Sequence, residues 1–444
     1  MKQRLGLIIA LIVLVTALTA SAQDYGAGKA QSFIKEGETL TLEKCIEIAL
    51  RNQPNVIAAV NNVVAGRSRV GEAQSNYYPQ VNVSAGYSRI APVVSHVTLT
   101  GLPTSISTGP SSFDQYNASA TLNQNIYDFG KTQAQVRVQK ENLDSTTGDY
   151  LNAQTQIAFN VKQAYYTVLE AQKQLDVARE TVKQLEEHLE QAKGFYEAGT
   201  HPKYDVTTAA VNLSNGKVGL ITAENNLKID FVNLNNAMGI PNGPQYSIVD
   251  NLAFRKYEIT LEEAIQRAYL IRPDLKSAVA KTKSAEDSIA VARAGYYPVL
   301  TGNAEYDWSG QTFPLQRSWS AGVAINIPVF SGFLTKYQVE EAKANYNVAK
   351  ANEDLVRLTV FSDVKQAFLN LKAAEEKIPS AELAVKQAAE NLDIVNGRYA
   401  NGLGSPVDVT DAEVTYTNAQ VTYITALGDY RIARSALEKA MGIK

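Results

Sequence analysis

Few side chains in this sequence are spaced for chemistry. Gly26-Ala27-Gly28-Lys29 is close to a phosphate-cradling loop, but Gln23 stands where the leading glycine belongs. Ala30 replaces the Ser or Thr that would hold Mg²⁺, and no strand precedes the segment. Three histidines, at 96, 188 and 201, and one cysteine, Cys45, supply neither a zinc ligand set nor a disulfide framework. Cys45 reads as a small buried apolar residue. H-E-x-x-H and G-x-S-x-G are both missing, and no His–acid arrangement stands near a credible nucleophile. What remains is acidic. Asp408 and Asp411, three residues apart, share one helix face. Asp205 stands at the start of another helix, where a carboxylate caps free backbone N–H groups. The sequence predicts no catalytic residue, no cofactor and no metal, hence no enzyme.

The elements that position these acids follow an apparent address. Lys2 and Arg4, an apolar core from Leu5 to Leu18, and Ala20-Ser21-Ala22 read as a secretory signal peptide over residues 1–22. Residues 23–40 then form an N-terminal extension, and with Cys45 well past the cut no cysteine is placed for amino-terminal lipidation. The 444 residues carry 42 Lys+Arg against 45 Asp+Glu, a net charge of −3 that argues against a nucleic-acid partner. With 45% hydrophobic residues the chain is not of disordered composition. Beyond the signal no run of eighteen apolar residues occurs, so a membrane crossing must be a β-barrel.

The chain is written twice. Thr41-Leu42-Glu43 returns 219 positions later as Thr260-Leu261-Glu262, and Tyr77-Tyr78-Pro79 as Tyr296-Tyr297-Pro298. Further on the offset is 203: Asp205-Val206-Thr207 meets Asp408-Val409-Thr410, and Ala237-Met238-Gly239 meets Ala440-Met441-Gly442. The 16 extra residues of the first copy fall within residues 91–112, rich in Ser, Thr, Gly and Pro, and mark a loop. Repeat 1 spans 41–239, a linker 240–258, and repeat 2 259–444.

Period-two alternation predicts four strands in two hairpins, over ~79–90, ~113–127, ~298–308 and ~318–330. Val81, Val83, Ala85 and Tyr87 alternate with Asn82, Ser84, Gly86 and Ser88, a polar face with few charges that suits a wet lumen. Tyr77 and Tyr87 are ten residues apart. At ~3.3 Å per residue and ~40° tilt that gives about 25 Å of height, the spacing of the aromatic girdles of outer-membrane barrels. Tyr296, Trp308 and Trp319 fit the same belts. Four strands cannot close a barrel, so copies must share one wall. Two would give eight strands packed shut and three would give twelve around a bore; the residues alone leave the count open.

The second pattern is helical. Ile157, Val161, Ala164, Val168, Ala171, Leu175, Ala178, Val182, Leu185, Leu189 and Ala192 step by alternating four and three, and their equivalents from Val360 to Val395 are all apolar. A seven-residue repeat held this long predicts a coiled-coil seam. Long helices are expected over ~131–198 and ~334–401, the second kinked at Pro379. Tight turns at Gly199–Tyr204 and Gly402–Val407 then lead into return helices over ~205–239 and ~407–442.

These residues together resemble the TolC-like outer-membrane efflux family. The resemblance rests on the signal peptide and the duplicated helix–β-hairpin–long helix–helix unit. It rests also on Tyr-Tyr-Pro before each hairpin and on tips reading Phe195-Tyr196-x-x-Gly199…Asp205-Val206 and Arg398-Tyr399-x-x-Gly402…Asp408-Val409-x-Asp411. It implies a mainly α fold with transmembrane β: a homotrimer whose 12-stranded outer-membrane β-barrel continues into a periplasmic α-helical barrel. It implies a passive exit duct docked on a periplasmic adaptor and an inner-membrane pump of RND or ABC type. By the same resemblance Asp408 and Asp411 line the constriction as two stacked carboxylate rings, and Asp205 and Tyr399 hold the tip closed. Gly199, Gly402, Gly404, Ser405 and Pro406 form the turns that meet the adaptor. Some members carry a basic latch residue at the position of Gly404, so that bridge is missing here. Solvated first-turn acids and plain turn chemistry explain the same residues equally well. An envelope coiled-coil protein, structural or adhesive, with water-soluble hairpins is the alternative reading of the whole.

Overall fold

The computed structural model describes residues 34–91, 95–97, 106–108 and 112–444. The expected signal peptide, the extension up to residue 33, the Gly26–Lys29 segment and most of the inserted loop lie outside the described residues. In chain order the elements are β1 (Thr39–Leu40), α1 (Leu42–Asn52), α2 (Pro54–Gln74), β2 (Gln80–Ile90), β3 (Ser95–Val97), β4 (Ile106–Thr108), β5 (Phe113–Tyr127), α3 (Lys131–Glu197) and α4 (Lys203–Met238). The second repeat adds β6 (Ser247–Ile248), α5 (Leu261–Ile271), α6 (Pro273–Ala294), β7 (Val299–Gly310), β8 (Gln316–Asn326), α7 (Leu334–Ala400) and α8 (Pro406–Ala440).

Local chemistry explains where the helices start. Thr41 and Thr260 cap α1 and α5 through their hydroxyls, the latter in a capping box with Glu263. Pro54 and Pro273 open α2 and α6, where a missing N–H costs nothing. The long helices α3 and α7 each have 67 residues, so each spans about 100 Å at ~1.5 Å per residue. Helix α7 runs through Pro379 without a break. Along α3 the heptad residues Val161, Val168, Leu175, Leu185 and Ala192 are buried, and along α7 so are Val360, Val364, Leu371, Ile378 and Leu392.

The helices form one layer. At the strand end α2 packs on α3, and α6 lies between α3 and α7. At the opposite end, the tip, α4 packs on α3, and α8 takes the place between α3 and α7. Each repeat builds its own core at mid-length, around Ile48, Val161 and Tyr165 in the first and around Val364, Leu371 and Tyr430 in the second.

Residues 240–258, expected as the linker between the repeats, are held in place by contacts with α3 and α8. β6 pairs parallel with β1, and Ile248 and Leu252 are buried. Tyr165 donates its hydroxyl to the Val249 carbonyl at 2.6 Å, and Tyr430 donates to that of Arg255 at 2.7 Å. The Arg431 guanidinium donates to the Asn251 and Ala253 carbonyls. Outside β6 this stretch has no regular structure, and several of its carbonyls are met by side chains of α3 and α8.

The four long strands form one antiparallel sheet in the order β2-β5-β7-β8. Its register places Val83, Ala120, Tyr306 and Trp319 in one row and Ala85, Ala118, Trp308 and Arg317 in the next. One face is therefore apolar except at the end near β3 and β4, where Arg89, Asp114 and Arg317 stand; the other carries Ser84 hydrogen-bonded to Ser119 at 2.9 Å. The last strand departs from expectation. It begins at Gln316 and ends at Asn326, not ~330, because Pro328 has no N–H to give a ladder. The third reaches Gly310.

Candidate functional site

Both long helices end in the same turn. Gly199 and Gly402 adopt φ of 74° and 72°, a left-handed conformation that glycine enters without strain. Thr200 N–H then donates to the Phe195 carbonyl and Leu403 N–H to that of Arg398, closing the last turns alike. Gly404 has a different duty. A Cβ there would stand 3.0 Å from the Tyr399 backbone nitrogen and 3.2 Å from its Cα. The turn folds back so closely on α7 that a side chain there would force the Tyr399 backbone to shift.

Ser405 caps α8: its Oγ accepts from Val407 N–H, and its own N–H donates to Asp408 Oδ2 at 3.3 Å. Asp408 thus serves the helix start, and with Pro406 at the first helical position the end is chemically complete. Asp408 and Asp411 nevertheless line one cavity, of about 310 Å³, together with Gly404 and Arg398. Both carboxylates are exposed and have no ion pair among the described residues. Arg398, the nearest cation in sequence, enters the sequence reading only as the first residue of the tip motif, with no role given to it.

Asp205 does not cap α4, as its place in sequence suggested. Pro202 holds the cap position and Asp205 lies in the first turn, 6% exposed, with Oδ2 2.9 Å from His201 Nδ1. An imidazole four residues earlier outcompetes the backbone N–H groups for the carboxylate. Tyr399, from the other repeat, is 1% exposed and packs on three rings of repeat 1: His188 at 5.2 Å, Phe195 at 5.6 Å and His201 at 5.7 Å. His201 stacks on Phe195 at 4.8 Å. Tyr399 Oη is buried without a hydrogen-bond partner among the described residues. Asp205 and Tyr399 therefore belong to one cluster but are not bonded to each other, because His201 has taken the carboxylate.

Two buried titratable groups in this region escaped the sequence reading. His188 is held below its ordinary value by burial, against the pull of Asp205. Glu413, on α8 and 6% exposed, has a buried Oε2 with no partner among the described residues, and burial pushes its carboxyl up to about 7. His201 could have been found as the i−4 neighbour of Asp205; Glu413, in an apolar register of α8, carries no local sign.

At the other end, Tyr77 sits in a 3₁₀ turn (Ser75–Tyr77) before β2, so the stretch to Tyr87 is not fully extended and the height drawn from it does not hold. Strand β5 offers the better ruler. A bulge at Ile126 brings Tyr127 opposite Leu300, on the apolar face with Tyr116. Their eleven-residue separation spans ~36 Å of strand, or about 28 Å of height at ~40° tilt. Tyr116 has Tyr87 and Phe313 as ring neighbours, and Tyr306 packs on Trp308. Tyr127 leads through Phe129 to Tyr297 at the helical end. Tyr77, Tyr296 and Trp319 are exposed.

The sequence model described as outer membrane efflux protein matches residues 45–240 and 264–443, one stretch on each repeat. The chain belongs to that family. Outer membrane protein TolC of Vibrio cholerae is 24% identical to it over 407 residues, 89% of each chain. Protein CyaE of Bordetella pertussis is 25% identical over 412 residues, 91% of this chain and 84% of that one. Among solved structures, CusC superposes with a TM-score of 0.79 at 16% identity, covering 93% of this chain and 96% of its own. The Campylobacter jejuni CmeC outer membrane channel gives 0.77 at 20% identity, covering 93% and 90%. At those identities the structural likeness speaks for the fold. This efflux-family protein resides in the outer membrane, with its long helices in the periplasm. Its tip cluster therefore lies at the periplasmic end, and the β3–β4 side of the sheet faces outward.

Proposed function

We propose that this chain is one third of an outer-membrane exit duct, conducting substrates passively from an inner-membrane pump across the periplasm and the outer membrane. The observation that carries the reading is that the sheet is open. β2 and β8 are both edge strands, one face of the sheet is apolar, and lipid tolerates no unpaired edge. The edges run antiparallel to one another, so β8 of one copy can pair with β2 of the next and continue the same up-and-down pattern. Three copies give twelve strands and a water-filled bore. The helical layer is open in the same sense: Val211, Val218 and Ile221 of α4 are exposed at one edge, and Val348, Leu355 and Leu358 of α7 at the other.

In a trimer Asp408 and Asp411 form two carboxylate rings at the tip that favour cations. Breaking the contact of Tyr399 with His188 and His201 would let α7 and α8 move relative to α3 and α4. The turns at Gly199 and at Gly402, Gly404, Ser405 and Pro406 are the surface for a periplasmic adaptor, and a pump of RND or ABC type supplies the energy. Purification from outer membranes in detergent, followed by mass measurement and planar-bilayer recording, tests this. A conducting trimer is expected; a monomer in the periplasmic extract would end the reading.

A further inference from the structure

The apolar face of the sheet carries only three charged side chains among the described residues, and all stand at its outward end. Arg89 and Asp114 are directly opposed on β2 and β5, with Nη1 3.9 Å from Oδ1, and Asp114 also accepts the Tyr87 hydroxyl at 2.9 Å. Arg317 is different. It lies opposite Trp308 and two residues from Trp319 on the same face of β8. Its guanidinium is exposed and has no ion pair, hydrogen bond or ring contact among the described residues. An unpaired guanidinium on a lipid-facing surface is costly in hydrocarbon, yet aromatic side chains of this kind mark headgroup depth, where anions are available.

We propose that Arg317, flanked by Trp308 and Trp319, binds a phosphate of a phosphorylated glycolipid in the outer leaflet, one site per protomer. The inference rests on the duct reading, in which this face meets lipid. Three features favour that occupant. The guanidinium fork matches a phosphate bidentately, which an ammonium does not. The two indoles lie on the same face as the guanidinium, fit for the boundary between acyl chains and headgroups. The end of the sheet away from the helices is the outward end, so the anion comes from the outer leaflet. Arg89 does not make an equal site, because Asp114 already offsets its charge. Since β8 is an edge strand, the site stands beside the seam with the neighbouring copy, where a bound lipid would also reinforce the junction.

The test is native mass spectrometry of the full-length protein purified in mild detergent, titrated with bisphosphorylated lipid A and with the same lipid dephosphorylated. Wild type should prefer the phosphorylated form by about tenfold, the scale of a charge-assisted hydrogen-bond pair. Arg317→Ala should lose that preference, Arg317→Lys should keep only part of it, and Arg89→Ala should change it by less than about threefold. Equal binding of both lipids by wild type, or undiminished preference in Arg317→Ala, would overturn the proposal. The same spectra report the oligomer. A trimer with unchanged lipid preference in Arg317→Ala sinks this site alone, whereas a wild-type protein that is not an oligomer sinks the duct reading beneath it.

Discussion

Glu413→Gln should free the periplasmic tip from its sensitivity to alkali. The carboxyl sits on α8 two residues past Asp411, a rotation of ~200° that turns it from the cavity into the packing between helices. It is 6% exposed, Oε2 has no partner among the described residues, and burial raises its value from 4.5 to about 7. Because the packed state holds the proton more tightly than an opened one, stability of the packed tip is full below about 4.5. It declines as pH rises towards 7 and is flat above. The whole shift is worth about 3 kcal/mol per chain at most, less whatever water at the tip screens. That ceiling corresponds to about a hundredfold in the opening equilibrium. Gln keeps the volume and cannot ionise. Limited proteolysis of the detergent-purified protein at pH 5, 6, 7 and 8, normalised to protease activity on an unfolded substrate, reads the difference. In a His188→Phe background, which removes the opposing titration of that imidazole, cleavage near residues 400–415 should rise with pH when Glu413 is present and stay level in Glu413→Gln. Parallel pH profiles would show that the carboxyl is already solvated and would refute the argument.

Other outcomes follow from the same region. His188 is held below its ordinary value by burial, so its contribution to the packed tip is present above about 6.5 and lost as pH falls below it. In Glu413→Gln, which lacks the opposing carboxyl, tip proteolysis should therefore rise at pH 5, and adding His188→Phe should remove that rise. Gly404→Ala places a Cβ 3.0 Å from the Tyr399 nitrogen and should destabilise the tip by about 1–2 kcal/mol, seen as faster cleavage at every pH. Asp408→Asn with Asp411→Asn should lower cation selectivity in bilayers; unchanged reversal potentials in a salt gradient would contradict the ring assignment. Leu371→Ala, at a fully buried seam position, should cost about 2–5 kcal/mol and lower the melting temperature without altering selectivity.

The duplication, the four strands and the heptad seams could be read from the sequence because each is periodic. Val161 and Val364, 203 positions apart, occupy the same buried register, and the alternation around Val83 and Trp319 names the apolar face. Periodicity is silent where one-off side-chain contacts decide. Residues 240–258 have no repeat of their own, and their place is set by Tyr165, Tyr430 and Arg431, distant in sequence. The bulge at Ile126 shifts Tyr127 to the other face without any Gly or Pro to announce it. At the tip, Asp205, Gly402 and Tyr399 were visible as turn and cap chemistry or by family resemblance. The pairing of Asp205 with His201 was not, nor the packing of His188 against Tyr399, since that contact joins residues more than 200 positions apart.

The central claim is that one chain supplies a third of a cylinder whose wall closes between copies. A cysteine on the polar face of β2, Ser84→Cys, combined in turn with Ser318→Cys, Ser320→Cys, Gly322→Cys and Ala324→Cys on β8, tests it in intact outer membranes. Cys45 is buried, with its thiol pushed up to about 12, and should not compete. On mild oxidation at least one in-register pair should yield a covalent ladder that stops at three chains. A ladder that closes at two or four chains, or no cross-link in any register, would contradict the account.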